Sequence, residues 1–299
     1  MSKPPFEWSD LRYFLAVARS GKLTEAARRL EVEHSTVSRR LAALEHALGA
    51  RLFDKEPGGY KLTTDGEKLL PSAESMEAIA LASQSHLADS NRSVSGTVRI
   101  GAPDGFGSHF LAPRLGHLAK LHPDLEVQLI ALPRVFNLTK READIAISLS
   151  RPKEKRLHGD KLTDYSLRLY AAPSYLAKHA PIRSIAALTD HSFVGYVDDL
   201  IYAPELDYLR LASKDIRAML KSSTLVAQLE MTLAGAGICI LPDFLARLHP
   251  ELKCVLPNDV ELTRTFWLLV HADIRNLARV RVVSEFITAE VQKEHRLFG

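Results

Sequence analysis

The segment from Leu23 to Phe53 constrains the fold of this 299-residue chain most, because it predicts two short helices joined by a tight turn. The first helix, which Thr24 is expected to cap, carries apolar residues on one face. A break follows at residues 31–33, and the second helix is expected to open at Ser35. Its buried face is predicted from apolar residues that recur at helical spacing, at Val37, Leu41, Leu44 and Leu48.

The opposite face of the second helix carries short hydroxyls and cations. These residues are His34, Ser35, Thr36, Ser38, Arg39 and Arg40. Such side chains in the first turns of a helix suit the base edges and phosphates of a DNA major groove. For a helix pair taken alone, the alternative is an αα-hairpin whose polar face is merely solvated.

The flanking sequence completes a winged domain. Upstream, apolar residues predict a preceding amphipathic helix, at Leu11, Phe14, Leu15 and Ala18. Downstream, Pro57-Gly58 separates two short runs, so we expect a β-hairpin wing that carries Lys55 and Lys61. Together these elements predict a DNA-binding domain over residues 1–65, with its helix-turn-helix from Leu23 to Ala42.

This region resembles the N-terminal domain of the LysR-type transcriptional regulators. The shared runs are Phe14-Leu15-Ala16-Val17-Ala18, Thr24-Glu25-Ala26-Ala27, Val37-Ser38-Arg39, Leu44-Glu45 with Leu48-Gly49, and Thr64-Asp65-Gly66. The chain departs from the family in having His34 where Gln is common and Lys55 where the wing commonly has Arg. The resemblance implies sequence-specific binding to a double-stranded DNA operator.

The net charge of +3 gives no global basic field, so any contact with DNA must be local. Phosphate contacts, with their salt dependence, are expected from Arg39, Arg40, Arg51, Lys55 and Lys61. No run approaches the roughly 18 apolar residues of a membrane span, and the N-terminus has no export signal. We therefore expect a cytoplasmic protein with no membrane partner.

Two cysteines, Cys239 and Cys254, form neither a disulfide framework nor a metal motif. Free cysteine is among the residue types most often buried. Both are therefore expected to be small core residues.

Residues 67–90 are rich in helix formers and predict a long helix. Pro71 is expected to bend this helix or to limit where it begins. A sparse apolar stripe runs along it, at Leu69, Met76, Ile79, Ala80, Ser83 and Leu87. The helix either only spans two domains or pairs with its twin in a second copy, and the family resemblance favours pairing. Residues 66–94 are thus expected to be a linker, dimerisation helix and hinge in a homodimer or homotetramer.

From residue 95 onward, predicted strands alternate with predicted helices, and a closing helix is expected from Ile274 to His295. This pattern is typical of parallel sheets with connecting helices. The length of this pattern favours two lobes over one small sheet. We predict an α/β effector domain over residues 95–299, with lobe I at 95–166 and 267–299 and lobe II at 167–266. The predicted fold class is α/β overall: a mainly helical winged domain, a long linker helix and a two-lobed α/β domain.

This half resembles the effector domain of the same family, which is similar to periplasmic solute-binding proteins. The shared runs include Leu111-Ala112-Pro113, Asp144-Ile145-Ala146-Ile147, Ala172-Pro173-Ser174 and Gly235-Ala236-Gly237. The resemblance implies a small-molecule effector between the lobes and leaves room for contact with RNA polymerase. The effector-binding residues that it implies are Pro103, Asp104, Gly105, Phe106, Ser108, Ser148, Gly195, Tyr196, Ser223 and Thr224.

Asp104 leaves the charge of that effector open. Exposed amides at the following helix start would favour an anion, whereas the carboxylate would oppose one or accept from a hydroxyl or an ammonium group. Asp104 could equally cap the helix.

An enzyme and a solute-binding protein of a transport system are the rival interpretations. A solute-binding protein would share the α/β half but would need an export signal and would have no winged domain. The chain has no His-Glu-x-x-His, Cys-x-x-Cys or Gly-x-Ser-x-Gly motif, and its histidines are scattered. We therefore expect no catalytic residue, no metal site and no cofactor. The alternative is a solute-binding or enzymatic α/β protein with an appended DNA-binding domain.

Overall fold

The computed structural model describes residues 7–88, 94–139, 142–212 and 215–299. The chain divides into two compact units, residues 1–91 and 92–299. Residues 89–93, which include part of the predicted hinge, lie outside the described residues.

The first unit is a three-helix bundle with a β-hairpin and a long helix. Its elements are α1 (Asp10–Ser20), α2 (Leu23–Leu30), α3 (His34–Leu48), β1 (Phe53–Glu56), β2 (Gly59–Leu62) and α4 (Thr64–Ala88). The two strands pair in antiparallel register around Pro57 and Gly58. The predicted order of helix, helix-turn-helix and wing is confirmed.

Several local predictions in this unit are wrong. Thr24 is not a cap, because α2 begins at Leu23 with Lys22 before it. The next helix opens at His34 rather than at Ser35. Of the two alternatives for Pro71, a limit on where α4 begins is wrong, since the helix starts at Thr64 and continues through the proline. The bend at Pro71 stays a prediction.

The apolar faces of the three short helices meet in a core that the wing also contacts. The fully buried residues include Phe14, Val17, Ala26, Val37 and Leu44. Burying such side chains contributes about 25 cal/mol per Å² of apolar surface. Leu48, which was predicted to continue the buried face of α3, is 37% exposed, because it lies in the last turn beyond the core.

The wing is fixed to the bundle at both of its ends. One carboxylate oxygen of Glu45 in α3 accepts a hydrogen bond from the backbone N–H of Leu52 at 2.7 Å. At the tip, the N–H of Tyr60 donates to the carbonyl of Gly21 at 2.7 Å. Gly59 permits this approach: its φ is 143°, and a Cβ there would lie 2.2 Å from the Gly21 oxygen.

The second unit is built on a mixed sheet that has nine strands within the described residues. The strands are β3 (Gly96–Ala102), β4 (Leu125–Ala131), β5 (Ile145–Ser148), β6 (Leu157–Ala171), β7 (Phe193–Tyr196), β8 (Ala218–Ser222), β9 (Ile238–Pro242), β10 (Lys253–Val255) and β11 (Glu261–His271). The helices are α5 (Ala112–Leu121), α6 (Pro173–Leu176), α7 (Leu209–Ala212), α8 (Leu225–Leu233), α9 (Asp243–Ala246), α10 (Ala278–Lys293) and α11 (His295–Phe298). A π-helix, Phe106–Leu111, precedes α5, and short 3₁₀ helices lie at Ala186–Asp190, Asp198–Leu200 and Pro204–Leu206.

The strand order is β4-β3-β5-β11-β6-β9-β7-β8, with β10 added beside β6. Two groups of strands are parallel: β3 with β4 and β5, and β7 with β8 and β9. We call these groups, with their helices, lobe I and lobe II. Between them β6 and β11 pair antiparallel with each other and with their neighbours. The expectation of parallel sheets is therefore wrong at the centre of the molecule.

The strands β6 and β11 connect the two lobes, because β11 pairs with β5 of lobe I and β6 pairs with β9 of lobe II. Their register extends from Glu261 opposite Arg168 to His271 opposite Leu157, with a β-bulge between Phe266 and Trp267. The lobe boundaries predicted from the sequence, at 166/167 and 266/267, fall inside these two strands.

Two further predictions differ from the structure. The closing helix, expected from Ile274 to His295, is shorter, since α10 spans Ala278–Lys293 and α11 follows separately. Cys239 is buried in β9 as expected, but Cys254 is exposed, because it lies on the short strand β10 at the side of β6. In the described part of the chain, no helix is long and apolar enough to cross a membrane.

Candidate functional site

The polar face of α3 lies on the surface of the first unit. His34, Ser35, Ser38 and Arg39 are exposed, whereas Thr36 and Arg40 are half-buried. This face lies opposite the buried residues of the same helix, which hold α3 against the bundle.

The two neighbouring arginines of this face have different surroundings. One guanidinium nitrogen of Arg40 lies 3.3 Å from a carboxylate oxygen of Asp10, a buried residue in the first turn of α1. Arg39 forms no ion pair with any residue in the described part of the chain. Arg40 therefore fixes α3 to α1, and Arg39 offers an uncommitted guanidinium to solvent.

The wing and the loop before it carry three further cations. The Lys55 ammonium lies 5.9 Å from the centroid of the Tyr60 ring. Lys61 is 4.0 Å from a carboxylate oxygen of Glu56, and both side chains are largely exposed. Arg51 is also exposed. Weak, exposed pairs of this kind leave the cations able to meet phosphate.

A groove of about 700 Å³ lies on another part of the first unit, between α1, the end of α2 and α4. Trp8, 69% exposed, and Ala80 line it, and Ile79, 66% exposed, lies beside Ala80 on α4. Of the stripe predicted on α4, Leu69 and Met76 instead pack against the core of this unit. The side chains of Ser83 and Leu87 lie outside the described residues.

In the second unit, Asp104 joins the two lobes. It is 5% exposed, and one carboxylate oxygen accepts a hydrogen bond from the backbone N–H of Val226 at 3.2 Å. Val226 lies in the first turn of α8, so a residue of lobe I caps a helix of lobe II. Burial raises the pKa of Asp104, while hydrogen bonds from the amides of Val226 and Leu225 act in the opposite direction.

The other residues expected to bind an effector divide by burial. Thr224 is the N-cap of α8, where its hydroxyl accepts from the N–H of Ala227 at 3.3 Å. Ser223 is half-buried and Ser108 is exposed. Gly105, Phe106, Gly195 and Tyr196 are buried.

The space between the lobes at Asp104 is almost filled. Its volume is about 20 Å³, which is close to that of one water-sized probe. Aromatic side chains occupy the surroundings: Phe106, Tyr165, Tyr196, Tyr202, Tyr208, Phe244 and Phe266. Burial raises the pKa of Tyr196, so its phenol stays neutral.

A much larger cavity, about 570 Å³, lies beside this space at the carboxyl end of β5. Of the residues expected to bind an effector, Pro103 and Ser148 line it. The remainder of its wall comes largely from residues 134–138 and 149–154, with Tyr202 and Ala203 from lobe II. The Ser148 hydroxyl donates to the carbonyl of Ser150 at 2.9 Å, which holds the turn after β5.

Reasoning from the sequence missed Arg134, Phe136, Arg151 and Tyr202 as lining residues. The signal that could have indicated them is the basic run 151–156, together with Pro133, which interrupts the segment after β4. The Asp10–Arg40 pair was missed as well, because residues on different helices follow no spacing rule.

Within the described ranges, no group of three or more His, Cys, Asp or Glu side chains is arranged to hold a metal ion.

Comparison with known proteins gives the same two-part division of the sequence. Residues 8–67 match the bacterial regulatory helix-turn-helix protein of the lysR family, and residues 91–292 match the LysR substrate binding domain. The Mau operon transcriptional activator of Paracoccus denitrificans is 28% identical over 279 residues, which cover 93% of this chain and 94% of that protein.

Solved structures with a similar fold include full-length regulators. CrgA, a LysR-type transcriptional regulator from Neisseria meningitidis, has a TM-score of 0.60 and 24% identity, with 96% of this chain and 99% of that chain covered. A full-length OxyR variant from Pseudomonas aeruginosa has a TM-score of 0.72 and 19% identity, with 96% and 98% covered.

The substrate-binding match alone extends over residues 91–292, which is more than half of the chain, and the helix-turn-helix match accounts for most of the remainder. The chain therefore belongs to the LysR family of transcriptional regulators, with a DNA-binding helix-turn-helix domain followed by an effector-binding domain.

Proposed function

We propose that this regulator binds a dyad-symmetric operator as an oligomer and changes its operator binding when a small molecule occupies the cavity beside β5. The observation that carries the DNA-binding part is the surface of α3, where Arg39 and three polar neighbours are exposed and Arg39 has no carboxylate partner among the described residues.

The proposed DNA contacts are divided by chemistry. His34, Ser35, Thr36, Ser38 and Arg39 meet base edges and nearby phosphates in the major groove. Arg51, Lys55 and Lys61 contact the backbone, which positions the domain without reading sequence. We assign Arg40 a supporting role, because its guanidinium is already held by Asp10.

The proposed oligomer is a homodimer or a pair of dimers. A single winged domain reads only a short half-site, so selective binding needs two copies at a separation fixed by symmetry. Exposed Ile79 and Ala80 on α4, with Trp8 across the groove, offer an apolar surface for the second copy. Burying that surface favours association at about 25 cal/mol per Å².

The proposed effector site is the cavity at the carboxyl end of β5, with Pro103 and Ser148 in its wall. A volume of about 570 Å³ lies in the range of small-molecule sites. Asp104, Gly105, Phe106, Gly195, Tyr196, Ser223 and Thr224 instead form or flank the packed contact between the lobes, through which occupancy of the cavity is transmitted. Ser108 is proposed only as a neighbour of this contact.

We place the protein in the cytoplasm, where the operator DNA is, and propose that it contacts RNA polymerase there. It is proposed to act by binding and not by catalysis. A pull-down of bound small molecules tests this, because a sensor returns its ligand unchanged and an enzyme converts it.

Footprinting of the neighbouring intergenic DNA, with and without candidate metabolites, tests the whole proposal. We expect a protected, dyad-symmetric site whose affinity exceeds that for unrelated DNA by about 10³-fold or more. Equal affinity for the intergenic site and for unrelated DNA, measured at one salt concentration, would contradict the proposed function.

A further inference from the structure

The cavity beside β5 exists because no helix connects β4 to β5. Residues 132–139 are irregular, and Phe136 and Leu138 of this segment are buried with Ala146 and Leu269. Phe136 lies directly on β3, since a Cβ added at Gly101 would be 2.5 Å from its ring. The floor of the cavity is thus a packed apolar surface.

The charged residues that line this cavity are mostly cations. They are Arg134, Arg151, Lys153 and Glu154, so three cations face one carboxylate. Glu154 is itself 3.4 Å from the hydroxyl of Thr139.

The cations differ in whether their charge is already neutralised. Arg134 lies 3.3 Å from a carboxylate oxygen of Glu142 and stacks over Phe136. In contrast, neither Arg151 nor Lys153 has an ion-pair partner among the residues that the structure describes. Two positive charges are therefore available at this cavity.

Arg151 is the better placed of the two to bind a ligand. Its guanidinium carbon lies 5.7 Å from the centroid of the Trp267 ring, so an aromatic surface supports it. A guanidinium in such a position still presents paired N–H groups, which match the two oxygens of a carboxylate. Ser148 and Ser150 lie on the same rim of the cavity.

A ligand that suits this cavity must satisfy both surfaces. An apolar body loses water against Phe136, Leu138, Leu157 and Leu269, while a carboxylate meets Arg151 and Lys153 at the rim. A cationic ligand would meet two uncompensated like charges, and a neutral polar ligand would leave the apolar floor unfilled.

We infer that the cavity binds a monocarboxylate with an aromatic or branched aliphatic body, held by Arg151. This inference rests on the proposed function, because it names the chemical class of the effector at the proposed site.

Isothermal titration calorimetry on the full-length protein tests the inference. The probes are benzoate, phenylacetate and 4-methylpentanoate, each paired with its neutral amide. We expect at least one acid to bind saturably and its amide to bind at least tenfold more weakly, a difference of about 1.4 kcal/mol. Binding by none of the three acids, or equal binding of acid and amide, overturns the inference.

Substitutions then locate the binding site. Arg151→Gln is expected to weaken binding of the acid at least tenfold, and Arg151→Lys to restore part of it. Arg183→Gln is the matched control, because it removes an exposed arginine that does not line the cavity, and it should leave binding unchanged. Equal affinities for Arg151→Gln and Arg183→Gln would place the ligand elsewhere and overturn the inference.

Operator affinity of the same proteins separates this inference from the function on which it rests. If the acids fail to bind while the operator is bound selectively, the inference of a monocarboxylate ligand is contradicted and the proposed function as a DNA-binding regulator is supported. If selective operator binding is absent, the proposed function is contradicted, independently of the calorimetric result.

Discussion

The carboxylate of Asp104 accepts a hydrogen bond from the backbone N–H of Val226 at 3.2 Å, and thereby one side chain of lobe I caps a helix of lobe II. The N-terminus of a helix favours an adjacent negative charge, since its first N–H groups lack partners within the helix. The same position is buried, which disfavours the charge. These two effects compete at Asp104, and burial is the larger, because the pKa is raised.

This balance predicts a pH dependence of stability. The pKa of Asp104 is above the ordinary value of 3.8 in the folded protein, so the cost of its charge is absent below pH 3.8 and appears as pH rises through the folded pKa. Asp104→Asn keeps an acceptor and removes the charge. The melting temperature of Asp104→Asn should therefore rise relative to that of the wild type as pH increases from 3.8 to 8. Thermal scans across this range, with exposed Ser108→Ala as control, measure the difference; a pH-independent difference would contradict the prediction.

Replacing Arg39 by Ala should weaken operator binding by about 1–3 kcal/mol without changing stability. Replacing Arg40 by Ala should instead lower the free energy of unfolding, on the order of 1 kcal/mol, because buried Asp10 loses its partner. Fluorescence anisotropy at fixed salt and chemical denaturation measure the two quantities. Full operator affinity of the Arg39→Ala protein would show that α3 does not read the operator through this residue.

A negative charge at Ile79 should dissociate the oligomer. The side chain is 66% exposed in the single chain, so Ile79→Asp costs little within one copy. Against a second copy it would bury an unpaired charge, which is strongly unfavourable. Sedimentation velocity at micromolar concentration should show smaller species for Ile79→Asp and none for Ser72→Asp, an exposed position on the same helix. A wild-type monomer under these conditions would refute the proposed assembly.

The tip of the wing should tolerate alanine at one glycine and not at the next. Gly59→Ala places a Cβ 2.2 Å from the carbonyl oxygen of Gly21 at a φ of 143°, whereas a Cβ at Gly58 meets nothing within 4 Å. We expect Gly59→Ala to lose about 1–3 kcal/mol of stability and Gly58→Ala to lose little. Urea denaturation of the two proteins compares them directly, and similar midpoints would mean that the wing is not fixed at Gly21.

The two thiols should differ in reactivity. Partial burial raises the pKa of Cys254, but its side chain is exposed to solvent, whereas Cys239 is buried and its pKa is raised to about 12. Ellman's reagent should therefore titrate one thiol in the native protein and two in denaturant. Cys254→Ser should abolish the native reaction, and a persistent signal from that variant would mean that β9 opens readily to solvent.

Periodicity in the sequence was sufficient for the elements whose neighbours lie close along the chain. The apolar spacing at Val37, Leu41 and Leu44 predicted the buried face of α3, and the succession of strands and helices predicted the α/β class of the second unit. Strand pairing was not predictable in this way. The local sequences of β6 and β11 do not indicate that these strands pair antiparallel over their length, because the pairing partner depends on the whole fold.

The candidate sites show the same limit. The polar face of α3 follows from helix geometry, but the different roles of Arg39 and Arg40 depend on Asp10, which lies in another helix. The cavity beside β5 lies where the irregular segment 132–139 connects β4 to β5, and Phe136 reaches β3 only because Gly101 has no side chain. Such contacts between distant segments are not encoded in a pattern of period two or 3.6.

The long antiparallel pairing of β6 with β11, which a single β-bulge interrupts, determines how this effector domain can move. Two lobes joined by loose loops could swing apart freely, whereas here a wide opening would break backbone hydrogen bonds in strands that cross the middle of the molecule. A change of twist keeps those hydrogen bonds, since the rotation between neighbouring strands varies widely among sheets. We therefore expect ligand binding to rotate one lobe slightly relative to the other about these two strands, without a wide opening between the lobes.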